Sequence, residues 1–169
     1  LAVLRQQIVQ IAVQKTIRPD RLEQQVQEQP RVFDVAYVVG GQQDFGENKV
    51  QEGLQKIAET ADTTIRWHVI GHLQSNKARK AAEAFHWIHA VDSVGLLMKI
   101  DEGAVAAGRR PRALVQVDLA GEATKFGASP DELPGIFARA ADLHAVDLAG
   151  LMLLPPAVDD PNDARPWFR

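Results

Sequence analysis

The sequence predicts an α/β fold built on a mostly parallel sheet, and three observations carry that prediction. Short runs rich in Val, Ile, Leu and Trp alternate with longer amphipathic stretches, the rhythm of repeated βα units. Gly, Pro, Asp and Ser stand where those stretches begin and end. A chain of 169 residues, 46% of them hydrophobic, can bury one respectable core, so residues 1–169 are expected to form a single domain.

Taken in order, residues 7–13 form an apolar run that ends at Lys15, and Pro19 with Asp20 starts a helix over 21–29 that Pro30 closes. Residues 31–39 are a second apolar run before the Gly40-Gly41 break. Phe45-Gly46-Glu47-Asn48 then leads into a helix over 49–61, whose buried stripe is Val50, Leu54 and Ile57. Residues 65–70 read as a strand and 71–76 as a loop, with Ser75 placed to cap a helix over 77–84. Residues 87–91 are the next strand. Asp92 and Ser93 open a helix through Ala107, and Gly108 stops it.

Residues 113–119 alternate as a strand does, and a loop over 120–127 follows. Ser129 caps a helix with Pro130 at its first position, running to about His144. The strand over 146–154 ends at Pro155-Pro156. That makes about six βα units with no linker or repeat between them. An open doubly wound sheet and a (β/α)8 barrel both fit this rhythm, and in either the functional groups gather at the C-terminal ends of the strands. Lys15, Asn48, the 71–77 loop, Asp92, the 121–127 loop and Met152 are placed there.

Composition narrows the function. Twenty-two acidic residues against 19 basic ones give a net charge of −3, with the signs interspersed, which argues against a nucleic-acid face. There is no cysteine, so disulfides, thiol nucleophiles and zinc–thiolate sites are excluded and a cytoplasmic setting is expected. Arg5, Gln6, Gln7 and Gln10 interrupt the apolar opening, so neither a leader peptide nor a membrane span is expected.

Lys15 directly follows Ile8, Val9, Ile11, Ala12 and Val13, which puts its amine at a strand mouth. Apolar walls lower a lysine pKa, and the neutral amine then attacks an aldehyde to form an imine. Position alone is better served by a solvated lysine just past a strand. His68 and His72 are four apart, but they lie on strand and loop with no third acidic ligand at zinc spacing, so no metal is expected. His86 and His89 are read as rim or surface residues, and His144 as the cation at a helix end. Gly40, Gly41 and Gly46 lack the dinucleotide spacing. Lys77 and Lys125 lie near strand-end loops where a phosphate could be attracted, although solubility explains either.

Three strings, Ala12-Val13-Gln14-Lys15-Thr16, Phe45-Gly46-Glu47-Asn48-Lys49-Val50-Gln51-Glu52 and Trp67-His68-Val69-Ile70-Gly71-His72-Leu73-Gln74-Ser75-Asn76-Lys77, closely resemble the pyridoxal phosphate (PLP) homeostasis protein family. Gly121-Glu122-Ala123-Thr124-Lys125-Phe126-Gly127 and Gly150-Leu151-Met152 resemble it too. The resemblance implies a (β/α)8 barrel of the alanine racemase N-terminal type. It also implies PLP held as an imine on the lysine at the end of the first strand, and a carrier or regulator of PLP supply with no established turnover. On that matching Lys15 is the imine lysine, Asn48 lies near the cofactor, and Met152 forms part of a cofactor wall.

The sequence departs from the family in three places. The interval from Lys15 to Phe45 is longer, Gln14 stands where the family has Ser, and Arg169 falls where a sixth helix is due. A barrel of this type takes about 250 residues, with phosphate commonly gripped after strands seven and eight, so an incomplete, C-terminally truncated barrel is expected. A monomer is expected, with association possible through open barrel edges. Two other functions stay open: a PLP-dependent racemase-like enzyme, and a truncated gene product without function.

Overall fold

A computed structural model describes residues 43–60, 64–119, 126–153 and 160–168. Lys15, the 7–13 and 31–39 runs and most of the 121–127 loop lie outside the described residues. Five strands, β1 (Asp44–Glu47), β2 (Arg66–Val69), β3 (Trp87–Val91), β4 (Arg112–Val117) and β5 (Asp147–Leu153), form one sheet. Between them come α1 (Val50–Glu59), α2 (Ala78–Ala84), α3 (Val94–Ala107) and α4 (Leu133–Ala138).

Sheet order resolves the choice that the sequence left open. The strands lie side by side as β1-β2-β3-β4-β5, every pairing parallel. A doubly wound sheet must reverse direction at a switch point, and this order has none. Successive helices pack on one another, α1 on α2, α2 on α3 and α3 on α4, as a single outer layer does. The described residues are therefore consecutive staves of a (β/α) barrel.

Each strand has a helix-facing side and an inner side. Phe45, Trp67, Val69, Ile88, Ala90, Ala113 and Val115 are buried with Val50, Ala81, Ala82, Phe85, Leu97 and Ile100 of the helical layer. Full burial of a large aliphatic or aromatic side chain contributes roughly 1.5–3 kcal/mol, so this shared layer is what holds the arc of strands together. The inner side carries a layer in one register. Gly46 is paired with His68, His68 with Trp87, Trp87 with Arg112, and Arg112 with Asp147. His68 stacks on Trp87 with centroids 5.7 Å apart, the Arg112 guanidinium lies 4.3 Å above the Trp87 ring, and Arg112 Nε donates to Asp147 at 2.9 Å. Side chains stacked in such layers are how the inside of this barrel type is filled.

The third helix forms as its sequence prescribes. The Ser93 hydroxyl accepts from the Leu96 N–H at 3.3 Å, and Gly108 adopts φ 62°, the left-handed conformation that ends a helix without steric cost. The 129–144 stretch is less regular than expected, being a 3₁₀ turn, the short α4 and a second 3₁₀ turn. Ser129 opens it as expected, with the Glu132 carboxylate accepting from both its N–H and its hydroxyl at 2.8 and 2.9 Å.

Two sequence expectations are corrected. Residues 44–47 form a strand where the pattern showed only a lead into a helix, because two acids and a glycine in four residues carry little strand propensity and pairing with β2 decides the matter. Ser75 does not cap α2. It lies inside a 3₁₀ turn, Ser75–Lys77, that precedes the helix and makes no side-chain cap bond.

Candidate functional site

The C-terminal ends of the strands form a rim assembled from consecutive loops. At β1 the chain leaves the sheet through Asn48, which is exposed. The Ile70 N–H donates to the Glu47 carbonyl at 2.9 Å, which extends the β1–β2 ladder to the base of the rim. Gly71 then passes so close to Asn48 that a Cβ there would lie 2.3 Å from the Asn48 carbonyl oxygen. Only a residue without a side chain fits, and the two strand mouths are thereby fixed to each other.

Beyond Gly71 the rim is built from side chains. His72 Nδ1 lies 3.9 Å from the Asp92 carboxylate, at the end of β3. Its ring stacks on Phe126, with centroids 3.7 Å apart and planes 15° from parallel. The Phe126 carbonyl accepts from Gln116 Nε2 at 2.6 Å, and Gln116 is the register partner of Met152. Contacts thus run from β5 through β4 and β3 to β2 and β1. After β4 the chain returns so that Ala128 bridges Val117, with the Asp118 N–H donating to Ala128 at 3.0 Å and the Ala128 N–H to Gln116 at 2.8 Å.

Of the residues singled out from sequence, Asn48, Asp92 and Met152 sit on this rim, Asn48 exposed and Met152 half-buried at the two ends of the described arc and Asp92 between them. Lys15 and Lys125 lie outside the described residues, and Lys77 ends the 3₁₀ turn that follows the rim. His72, Asp92 and Phe126 gain their significance from mutual contact, which no local pattern announces. The rim offers an amide, an imidazole beside a carboxylate, a phenyl face and a thioether. That set suits a flat, polar heteroaromatic ring.

Below the rim, on the inner side, His89 is 4% exposed and not the rim or surface residue that its flanking by Trp87 and Ile88 suggested. Its alternation with Trp87 turns it inward, and burial pulls its pKa down to about 4, with the charge of His68 adding to the effect. His86 is exposed, and its Nδ1 accepts from the Trp67 N–H at 3.1 Å. Partial desolvation of the ring, whose Nδ1 side lies against β2, then the charges of Arg109 and Arg66, lower its pKa.

Comparison with known proteins supplies the family. Residues 28–166 match the model described as alanine racemase, N-terminal domain. A pyridoxal phosphate homeostasis protein of Pseudomonas aeruginosa is 42% identical over 115 residues, covering 68% of this chain and 50% of that protein. One from Aquifex aeolicus is 37% identical over 125 residues, covering 74% and 55%. This chain thus spans about half the length of the curated relatives it matches. The structure of PipY from Synechococcus elongatus with PLP bound is 39% identical with a TM-score of 0.73, covering 81% of this chain and 63% of that one. An alanine racemase from Clostridium difficile, 18% identical with a TM-score of 0.62 over 76% of this chain and 33% of its own, shares the fold. On these matches the chain belongs to the alanine racemase N-terminal domain family, and within it is similar to pyridoxal phosphate homeostasis proteins.

Proposed function

We propose that this chain binds PLP at the C-terminal rim of its strands through the side-chain amine of Lys15, and serves PLP homeostasis as a carrier without turnover of its own. The observation that carries the reading is the 39% identity and TM-score of 0.73 to a chain solved with PLP bound. The rim is chemically suited to it. Asn48 provides hydrogen bonding at one end, the Phe126 and His72 rings offer flat faces, and Met152 provides a soft apolar wall at the other. PLP, when bound, would supply an aldehyde able to form an imine with a primary amine, with loss of water. Lys15, which follows an apolar run in the sequence, is the primary amine proposed for that role.

In this reading the partner is PLP itself, and the chain acts as a monomer in the cytoplasm, where a cysteine-free sequence with interspersed charges is at home. Among the described residues no helix is long and apolar enough to cross a membrane. The test is borohydride reduction of the chain mixed with PLP, followed by peptide mapping. A reduced pyridoxyl label on Lys15, absent from Lys15→Ala, is the expected result, and a label that spares Lys15 defeats the reading. Deuterium exchange at the α-carbon of alanine should not exceed that of free PLP, and faster exchange points to an enzyme.

A further inference from the structure

Two histidines on the inner side of the sheet take no part in the rim. His68 is fully buried, and both of its ring nitrogens are engaged: Nε2 lies 3.0 Å from Asp44 Oδ1, and Nδ1 lies 3.0 Å from His89 Nε2. Asp44 belongs to β1, His68 to β2 and His89 to β3, so one line of hydrogen bonds ties three neighbouring strands. Arg66 grips the same Asp44 carboxylate through two contacts of 2.6 and 2.5 Å. The hydrogen bond from Arg66 leads the effects that hold the Asp44 pKa below its ordinary value, so the carboxylate is ionised and can only accept.

Proton counting follows from this. An ionised Asp44 requires the proton on His68 Nε2. The neutral His68 then has a lone pair on Nδ1, which accepts from the His89 Nε2–H. One added proton is tolerated on either ring, because a single proton still lies between the two facing nitrogens. A second sets N–H against N–H at 3.0 Å in a buried place and destroys the bond.

We propose that Asp44, His68 and His89 form a two-proton acid latch across β1, β2 and β3, closed while either imidazole stays neutral and opened when both are charged. The groups facing it set the balance. Burial disfavours a charge on His68 most, Asp44 opposes that, and the charges of Arg66 and His86 add to the burial effect. His89 faces His68 and packs beside Trp87, which carries Arg112 above it, and Arg112 is answered by Asp147. The same three strands end in Asn48, the Gly71–His72 turn and Asp92, so the latch ties together, from the N-terminal end of β1, the strands that carry the rim.

The direction in pH follows from linkage. Both imidazoles bind protons less readily in the folded chain than the value of about 6.5 expected when unfolded. The unfolded chain therefore holds more protons between the two values. Stability from the latch is whole above the unfolded value and drains as the pH falls toward the folded ones. With two sites the unfolding constant rises by up to about 100-fold per pH unit, ten-fold for each proton.

The test is urea unfolding of the full chain across that range, beside His89→Gln, whose amide can donate to or accept from His68 but cannot be charged. The variant should lose one proton from the pH slope, a limit of about ten-fold less change per unit. An unchanged slope overturns the proposal. Should the variant not fold, imidazole nitrogen-15 NMR of the wild-type chain decides. A His68 ring protonated on Nε2 and bare on Nδ1 near neutral pH is the expected result. A His68 or His89 that titrates at the ordinary histidine value overturns it.

Discussion

The carboxylate of Asp101, on the third helix, accepts from the backbone N–H of Val146 at 2.9 Å, across 45 residues of sequence. It accepts from Ala145 at 2.8 Å and from His144 at 3.0 Å as well, so one buried side chain satisfies the three consecutive N–H groups that lead into β5. Burial alone would raise the Asp101 pKa, but the hydrogen bonds from Val146, His144 and Ala145 outweigh it and hold it below the ordinary carboxylate value. Asp101 is thus a structural anchor that sets where β5 begins.

Asp101→Ala leaves three donors without that acceptor, and at about 1–3 kcal/mol for a buried group left unsatisfied the chain should lose several kcal/mol of stability. Asp101→Asn keeps one acceptor oxygen and loses less. The pH dependence has a definite sign. A carboxylate whose folded pKa is depressed contributes stability that is present above its unfolded value, about 3.9, and is lost as the pH falls through the folded one. Urea unfolding of wild type and Asp101→Asn down through that range checks this, with the variant expected to lack the added acid loss.

Gly71 predicts a different kind of damage. A Cβ at this position would lie 2.3 Å from the Asn48 carbonyl oxygen and 2.8 Å from its Cα, and neither backbone atom can rotate away as a side chain would. Gly71→Ala must therefore part the β1 and β2 mouths, at about 1–3 kcal/mol of the kind that overpacking costs. Because the strain falls at the rim, PLP affinity should drop further than for a variant of equal stability placed elsewhere. Paired measurements of urea midpoint and PLP titration separate the two effects.

The helix that carries Asp101 also shows how far the sequence could be read. Ser93 and Gly108 announced both of its ends, because a cap and a left-handed stop are local events between near neighbours. The string from Trp67 to Lys77 announced the family for a similar reason. What stayed hidden depends on register between distant segments. β1 is a strand because β2 pairs with it, despite a sequence of Asp, Phe, Gly and Glu. His89 looked like a rim residue until its partner His68, 21 residues earlier, was seen on the same inner side. The stacking of His72 on Phe126 joins loops after different strands, so no window of sequence could contain it.

The two ends of the third helix offer a clean check on that local reading. Ser93→Ala removes a cap worth about 1 kcal/mol. Gly108→Ala forces a Cβ into φ 62°, at about 1–2 kcal/mol. The sites lie at opposite ends of a 14-residue helix and share no partner, so the double variant should lose the sum to within about 0.5 kcal/mol. Denaturant unfolding of the two single variants and the double one tests this, and a shortfall shows that one end frays before the other matters.

Asn48 and Met152 divide the burden of the proposed cofactor site unevenly, and exposure says how. Asn48 is exposed, so Asn48→Ala should change stability by no more than about 0.5 kcal/mol. If its amide bonds to PLP, the same change removes a hydrogen bond of about 0.5–1.5 kcal/mol, which lowers affinity by up to about ten-fold. Met152 is half-buried beside Gln116, so Met152→Ala should lower both stability and affinity, the former by less than the 2–5 kcal/mol that a fully buried methionine costs. Titration followed by absorbance, with urea midpoints on the same samples, distinguishes them. An Asn48→Ala chain that binds PLP as tightly as wild type removes Asn48 from the site, because an exposed amide at the rim has no structural role through which its loss could be masked.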